Sequence, residues 1–256
     1  MPVSSKQIAR SKAKQRAQQQ ARNSIVIIIA VVAVVFVVLI VAVASQVSSS
    51  GKADQGSYAG IAQSTTDDGA AILGDPKAKI AIMEVADFSC PHCAEYHPTI
   101  LQLIDQYVKT GKTKFIYRPV TFVGQQLSDV AAQAALCAGK QGAFWPMQDA
   151  LYNIAQTSGP QAFAITTLVD KATSLKLDSA TFSKCLTGGE TESTIRSTAD
   201  LASQIGANST PSMLYSTDDG KTWQWWLDST NQDVHGGVPL QAIGDTIEKA
   251  NSGTSG

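Results

Sequence analysis

The chain has 256 residues, room for one or two domains, and its 20 Lys and Arg nearly balance 21 Asp and Glu, giving a formal charge of −1. The balance is uneven along the chain: Lys6, Arg10, Lys12, Lys14, Arg16 and Arg22 precede Ile25 with no acidic residue among them, leaving 14 basic against 21 acidic residues beyond. An acidic body lacks the basic footprint of a nucleic-acid-binding domain, so that class is set aside.

Residues 1–24 read as a basic tail. Ile25 to Ala44 is an uncharged apolar run of 20 residues, long enough to cross a hydrocarbon core of about 30 Å. The flanking positive charge predicts a single-pass membrane helix with a cytoplasmic N-terminus and the rest of the chain outside. Ala42-Val43-Ala44 also resembles a cleavage site, but the run is longer than the roughly 7–15 apolar residues of a signal peptide. The expectation is therefore an uncleaved signal-anchor. Either reading exports the remainder to a compartment where disulfides persist, which suits four cysteines that all lie beyond the anchor. Residues 45–70, rich in Ser, Gly, Ala and Gln, read as a flexible linker.

The folded part is expected over residues 71–250, with 251–256 a frayed tail. Ile80 to Asp87 is mostly apolar on both alternating faces, the pattern of a central strand. It runs directly into Cys90-Pro91-His92-Cys93. His97, Ile100, Leu101, Ile104, Tyr107 and Val108 then follow at helical spacing. Pro91 fits only where a helix has just begun, which places Cys90 at a helix N-terminus, where unpaired N–H groups and the macrodipole favour a thiolate. A thiolate that leaves readily, with a second thiol three residues on to resolve a mixed disulfide, is a redox pair.

Lys112 to Arg118 reads as a second strand ended by Pro119, completing a right-handed βαβ unit with parallel strands. Residues 124–206 are Ala-, Gln- and Leu-rich and broken by glycines, which predicts several helices joined by short turns. Within them Cys137 shares a register with Val130 and Ala134. Cys185 shares one with Phe182, after a helix start near Asp178-Ser179, so both cysteines point to apolar faces. Strand signals return at Ser212–Tyr215 and Thr222–Leu227, with Asp219-Gly220 between them as a hairpin signal. Pro239 opens a last helix that packs Leu240, Ile243 and Ile247. The sum is an α/β fold: a small mixed sheet with an inserted helical block.

Together these residues resemble the DsbA-like thiol:disulfide oxidoreductases, a thioredoxin-like fold with an inserted helical domain. The likeness covers about residues 72–250. It rests on Cys90-Pro91-His92-Cys93 after a strand, Pro98 five residues beyond Cys93, the helical block, and Thr210-Pro211 before a late strand. The resemblance implies that Pro211 is cis and that Thr210 and Pro211 receive an extended substrate peptide. Ser209 departs from the glycine that many relatives carry. The resemblance also implies that Glu84, on the buried strand, exchanges a proton with the inner thiol, a role suited to a carboxylate whose pKa burial has raised. His92 would add positive potential or a hydrogen bond to the Cys90 sulfur.

Four cysteines allow three pairings. With Cys90 and Cys93 close in sequence, Cys137 and Cys185 remain as a structural disulfide; the competing reading is a second redox relay, for which neither has the helix-start context. His97, with Cys90 and His92, could offer a Zn²⁺ or copper site. The active-site turn, the oxidising compartment and the scarcity of further ligands argue against it, so no metal is expected. No cofactor beyond the redox-active disulfide is expected either. Trp223, Trp225 and Trp226 read as strand packing, and His235-Gly236-Gly237 as a turn.

The function implied is donation of the Cys90–Cys93 disulfide to reduced exported polypeptides through a mixed disulfide at Cys90. Reoxidation would come from a quinone-linked integral membrane partner, DsbB-like or VKOR-like. The alternatives are an isomerase or reductase of the same fold, or a non-catalytic metal-binding or recruiting module.

Overall fold

A computed structural model describes residues 53–253. The basic tail, the predicted membrane span over residues 25–44 and the linker up to residue 52 lie outside the described residues. Six strands, β1 (Gln63–Thr65), β2 (Ala71–Leu73), β3 (Ala81–Ala86), β4 (Lys114–Pro119), β5 (Ser212–Ser216) and β6 (Gln224–Trp225), form one sheet in the order β1-β2-β4-β3-β5-β6. β3 and β4 are parallel, as the βαβ reading requires, and the other pairs are antiparallel. The helices are α1 (Pro91–Leu103), α2 (Gln126–Gly139), α3 (Phe144–Ser158), α4 (Ile165–Ser174), α5 (Ser179–Thr187), α6 (Glu192–Gln204) and α7 (Leu240–Asn251). Among the described residues, no helix is long and apolar enough to cross a membrane.

All six residues of β3 are buried, and their alternation divides the interior in two. Ile82 and Ala86 face the larger core with Phe115 and Tyr117 of β4, and that core extends through α1, α2, α3 and α7. Ala81 and Met83 face a second cluster with Ile116 and Leu214, closed by Leu201 and Ile205 and by Trp223 and Trp225. A strand covered on both faces holds its end rigidly, and here that end leads into the cysteine pair. α1 carries Pro98 inside it and continues as one π turn over Ile104–Val108. Leu101, read from spacing as inward, is exposed, while Ile100, Leu103 and Ile104 fill the core.

The domain begins earlier than expected. Residues 53–70, read as the end of a flexible linker, carry a 3-10 turn over Gly56–Tyr58 and the edge strand β1. Tyr58 is 1% exposed, and its hydroxyl donates to Asp149 on α3 at 2.6 Å. Asp68 pairs with the buried Arg118 at 2.7 Å. One aromatic ring and one carboxylate anchor this polar stretch, and neither leaves a periodic trace. The hairpin after β5 is also shorter than predicted: β6 has two residues, and the connection turns through Asp219 and Gly220, both at positive φ. The helical block spans α2 to α6, and Asp178 caps α5 by accepting from the Thr181 N–H at 2.7 Å.

Cys137 of α2 and Cys185 of α5 form a disulfide, both buried, across 48 residues of chain. Closing a loop of that length restricts the unfolded chain by an amount worth about 4 kcal/mol. Replacing both with alanine should lower unfolding free energy by about that much in urea titrations, while leaving thiol exchange at Cys90 within a factor of two.

Candidate active site

Cys90 is the N-cap residue of α1 with extended backbone (φ −79°, ψ 120°), and Pro91 occupies the first helical position. The residues before it are held by Asp87, whose buried carboxylate accepts from the Ser89 and Val123 N–H groups at 2.8 Å each and from the Ser128 hydroxyl at 2.6 Å. The Asp87 carbonyl also accepts from the Cys90 N–H at 3.0 Å. Gly124 packs against this knot so closely that a Cβ there would lie 2.4 Å from the Ser89 hydroxyl. Asp87 was not singled out from sequence; the available signal was an Asp two residues before a Ser at a strand end, the spacing of an Asx turn.

Cys90 and Cys93 stand as two thiols with opposite tendencies. Cys90 is lowered from 9.0 to about 5, chiefly by the hydrogen bond from the Cys93 thiol. Burial opposes this, and the backbone N–H groups of Cys93 and His92 assist it. As a thiol, Cys90 donates to the Thr210 carbonyl at 3.3 Å. The Cys93 thiol is fully buried and pushed far upward, first by burial, then by its bond to Cys90 and the nearby Glu84 carboxylate. One sulfur is thus built to be attacked and to leave, and the other to hold its proton.

Glu84 lies inside the larger core's side of β3, 1% exposed, and neither carboxylate oxygen has a hydrogen-bond partner. Burial raises it to about 8, with the charge on Cys90 adding to the effect. A carboxyl that is neutral at rest, beside a thiol that needs a proton when it leaves, fits the exchange the resemblance implied. The Thr210–Pro211 peptide is cis. With His92, Glu95, Tyr96, Ser209, His235, Gly236 and Gly237, these two residues line an open depression of about 500 Å³. Its far rim is tied to α1, since the Tyr96 hydroxyl donates to the Val238 carbonyl at 2.6 Å and accepts from the Val238 N–H at 3.1 Å.

His92 sits differently from expectation. Its ring is exposed and pairs with Glu95 at 3.3 Å, while the part of residue 92 that stabilises the Cys90 sulfur is the backbone N–H. His97 does not join the cysteines in a ligand set. It is buried, its ring tilted against Tyr152 with centroids 4.7 Å apart, and its Nε2 meets Asp149 at 2.9 Å. Among the described residues, no cluster of three or more His, Cys, Asp or Glu side chains is arranged to hold a metal ion. Trp226 packs inward and donates to Thr246 at 3.0 Å, and Trp225 packs its ring at a tilt against His235.

A Cys-X-X-Cys pair at a helix start, facing a cis proline across a βαβ-centred sheet, is the arrangement of the thioredoxin-fold disulfide oxidoreductases. A family model described as thioredoxin matches residues 66–221, more than half of the chain, and the chain belongs to that family. It is 27% identical over 146 residues to "Probable disulfide bond formation protein D" of Bacillus anthracis, a match spanning 55% of this chain and 67% of that one. The fold is shared with BdbD from Bacillus subtilis (TM-score 0.61, 21% identity, 73% of this chain and 96% of that chain). It is shared likewise with alpha-DsbA1 of Wolbachia pipientis (TM-score 0.59, 23% identity, 74% and 94%). A further match, 35% identical over 82 residues to an Na(+)/H(+) antiporter of Salinispora tropica, covers 31% of this chain and only 12% of the antiporter.

Two outcomes follow from these ionisations. Alkylation of Cys90 in the reduced protein should reach half its plateau rate near pH 5. The lowered thiol contributes stability to the reduced form that is fully present above its ordinary value of 9.0 and lost as pH falls through 5; denaturant titrations across that range should trace the loss. Glu84 has the opposite sign, because a raised carboxyl binds a proton in the folded state that the unfolded chain gives up. Its burden on stability grows from pH 4.5 to about 8. Glu84→Gln should therefore raise the melting temperature at pH 8 more than at pH 5.

Proposed function

We propose that the chain is a protein thiol:disulfide oxidoreductase that donates the Cys90–Cys93 disulfide to reduced polypeptides outside the cytoplasm. A substrate thiolate attacks the Cys90 sulfur, the Cys90–Cys93 bond breaks, and Cys93 leaves as a thiolate that takes a proton from Glu84. The substrate's second thiolate then attacks its own sulfur in the mixed disulfide and expels Cys90. The substrate loses two electrons to the enzyme pair, and Cys90 and Cys93 end reduced. The observation that carries this reading is the asymmetry of the pair: an acid Cys90 at the helix start against a buried, proton-holding Cys93. A leaving group stabilised as thiolate makes the disulfide form the stronger oxidant.

The depression beside Thr210 and Pro211 is where an extended substrate segment would lie across Cys90. The apolar run over residues 25–44 and its basic flank support a membrane-anchored protein with the catalytic domain outside. An anchored domain would meet a quinone-linked integral membrane reoxidase, DsbB-like or VKOR-like, at raised effective concentration. The named relative from Bacillus anthracis supports the same chemistry.

Equilibration with glutathione, read by thiol trapping, decides between donor and reductase. A donor should lie near the oxidising end of the thioredoxin-fold range, at about −120 mV, and should oxidise a reduced, unfolded dithiol protein stoichiometrically; a value near −270 mV would assign a reductase instead. Because the His92 ring is turned to Glu95 while its backbone N–H assists Cys90, His92→Ala should move the potential less than His92→Pro.

A further inference from the structure

The depression beside the cysteines has two walls of different build. One is the turn into β5, where the Ser209 carbonyl accepts from the Ser212 hydroxyl at 2.8 Å and β5 itself pairs with β3 in the sheet. The other is the stretch His235-Gly236-Gly237, which belongs to no strand or helix. Among the described residues, the N–H and C=O groups of these three pair with no other backbone group. Just before them the Val234 N–H donates to the Trp226 carbonyl at 2.7 Å, and the His235 ring lies tilted against Trp225 with centroids 4.5 Å apart. Just after them Val238 is buried in the larger core, and both of its polar backbone atoms are taken by one phenol.

That phenol is Tyr96, half-buried and one helical turn beyond Cys93 on α1. Its hydroxyl donates to the Val238 carbonyl at 2.6 Å and accepts from the Val238 N–H at 3.1 Å. It thus satisfies a buried peptide pair that neither the sheet nor a helix serves. Burial, and then the charge of Glu84, push the phenol upward, so it keeps the proton that this double role requires. The ring is fitted as closely as the hydroxyl. A Cβ on Gly237 would lie 2.7 Å from the Tyr96 Cδ2 and 2.8 Å from its Cε2, so only glycine lets the wall come down onto the redox helix here. A backbone edge with unspent N–H and C=O groups, facing a second wall, suits an extended peptide held by main-chain hydrogen bonds, whatever its side chains.

We propose that the Tyr96 hydroxyl is a clasp that sets the width of the depression, holding His235–Gly237 against an extended substrate backbone laid along Thr210 and Pro211. This rests on the disulfide-donor reading and deepens it: the ligand recognised is the extended main chain of a polypeptide, not a particular side chain. Tyr96 is then a positioning residue. It moves no proton or electron and acts by fixing the wall.

The test is single-turnover reduction of the full chain's Cys90–Cys93 disulfide by a short extended peptide with two cysteines, over a range of peptide concentrations, beside the same reaction with dithiothreitol. The peptide's two thiols become its disulfide as Cys90 and Cys93 take up the electrons, so the groove is read whichever direction the protein works in. Failure of the donor reading appears instead in the glutathione and protein-oxidation assays. Tyr96→Phe keeps the ring and removes both hydrogen bonds. It should raise the half-saturating peptide concentration about tenfold, while the limiting rate and the dithiothreitol rate change by less than about twofold. Gly237→Ala, which drives the wall off the ring, should do the same. Methylating the peptide's backbone nitrogens beside its attacking cysteine should weaken saturation of the unaltered chain by a similar factor, and that of Tyr96→Phe little further. Unchanged half-saturation in Tyr96→Phe, or in Gly237→Ala should the first variant not fold, would overturn the clasp. So would a dithiothreitol rate that falls as far as the peptide rate, the mark of a disturbed redox pair. Methylation losses that add in full would overturn it as well, because the wall would then touch no peptide backbone.

Discussion

The burial of β3 on both faces is the constraint from which the site follows. A strand with cores above and below it cannot slide or tilt without exposing one of them, so its C-terminal end is fixed in space. Asp87 converts that fixed end into a fixed loop by holding Ser89, Val123 and Ser128 together. The loop in turn delivers Cys90 to the first turn of α1, where backbone N–H groups are unspent. The acidity of Cys90 then comes chiefly from the hydrogen bond of the Cys93 thiol one turn along, with those backbone N–H groups assisting. The same burial isolates Glu84, whose carboxyl lacks any compensating donor. Burial raises Glu84, the Cys93 hydrogen bond lowers Cys90 against the burial that opposes it, and the chemistry lives in the gap between them.

Much of this was legible in the sequence, for reasons that can be named. An apolar run on both alternating faces identifies a central strand. A proline after a cysteine identifies a helix start, and the spacing of Cys137 and Cys185 against apolar neighbours places both in a core. The short strands β1 and β2 were not legible, because three residues are too few for alternation to register. Tyr58, which draws residues 53–70 into the domain, acts through a single hydroxyl and a single ring. Asp87 escaped a site assignment for a related reason: its role depends on Val123 and Ser128, 36 and 41 residues distant. The orientation of His92 was equally hidden, since Glu95 one turn along competes for its ring.

The helical block does more than cover the sheet. α3 contributes Tyr152 against Phe88 and Tyr117, an aromatic group with centroids 5.2–5.4 Å apart directly beneath the cysteine loop. It also reaches α1 through Gln156, which donates to the Ala94 carbonyl at 2.7 Å. The inserted helices and the redox helix thus share one interior, and the Cys137–Cys185 bond steadies the outer side of that shared core.

The sheet's outline has a consequence of its own. Its two borders are β1, three residues long, and β6, two residues long. Long open borders invite lateral annealing by extended chains, and abbreviated ones do not. A domain proposed to handle unfolded clients would meet such chains constantly. Its clipped margins would leave a visiting polypeptide few places to zip on sideways, confining its stay to the groove above the sulfurs and letting it depart once its own cross-link has formed.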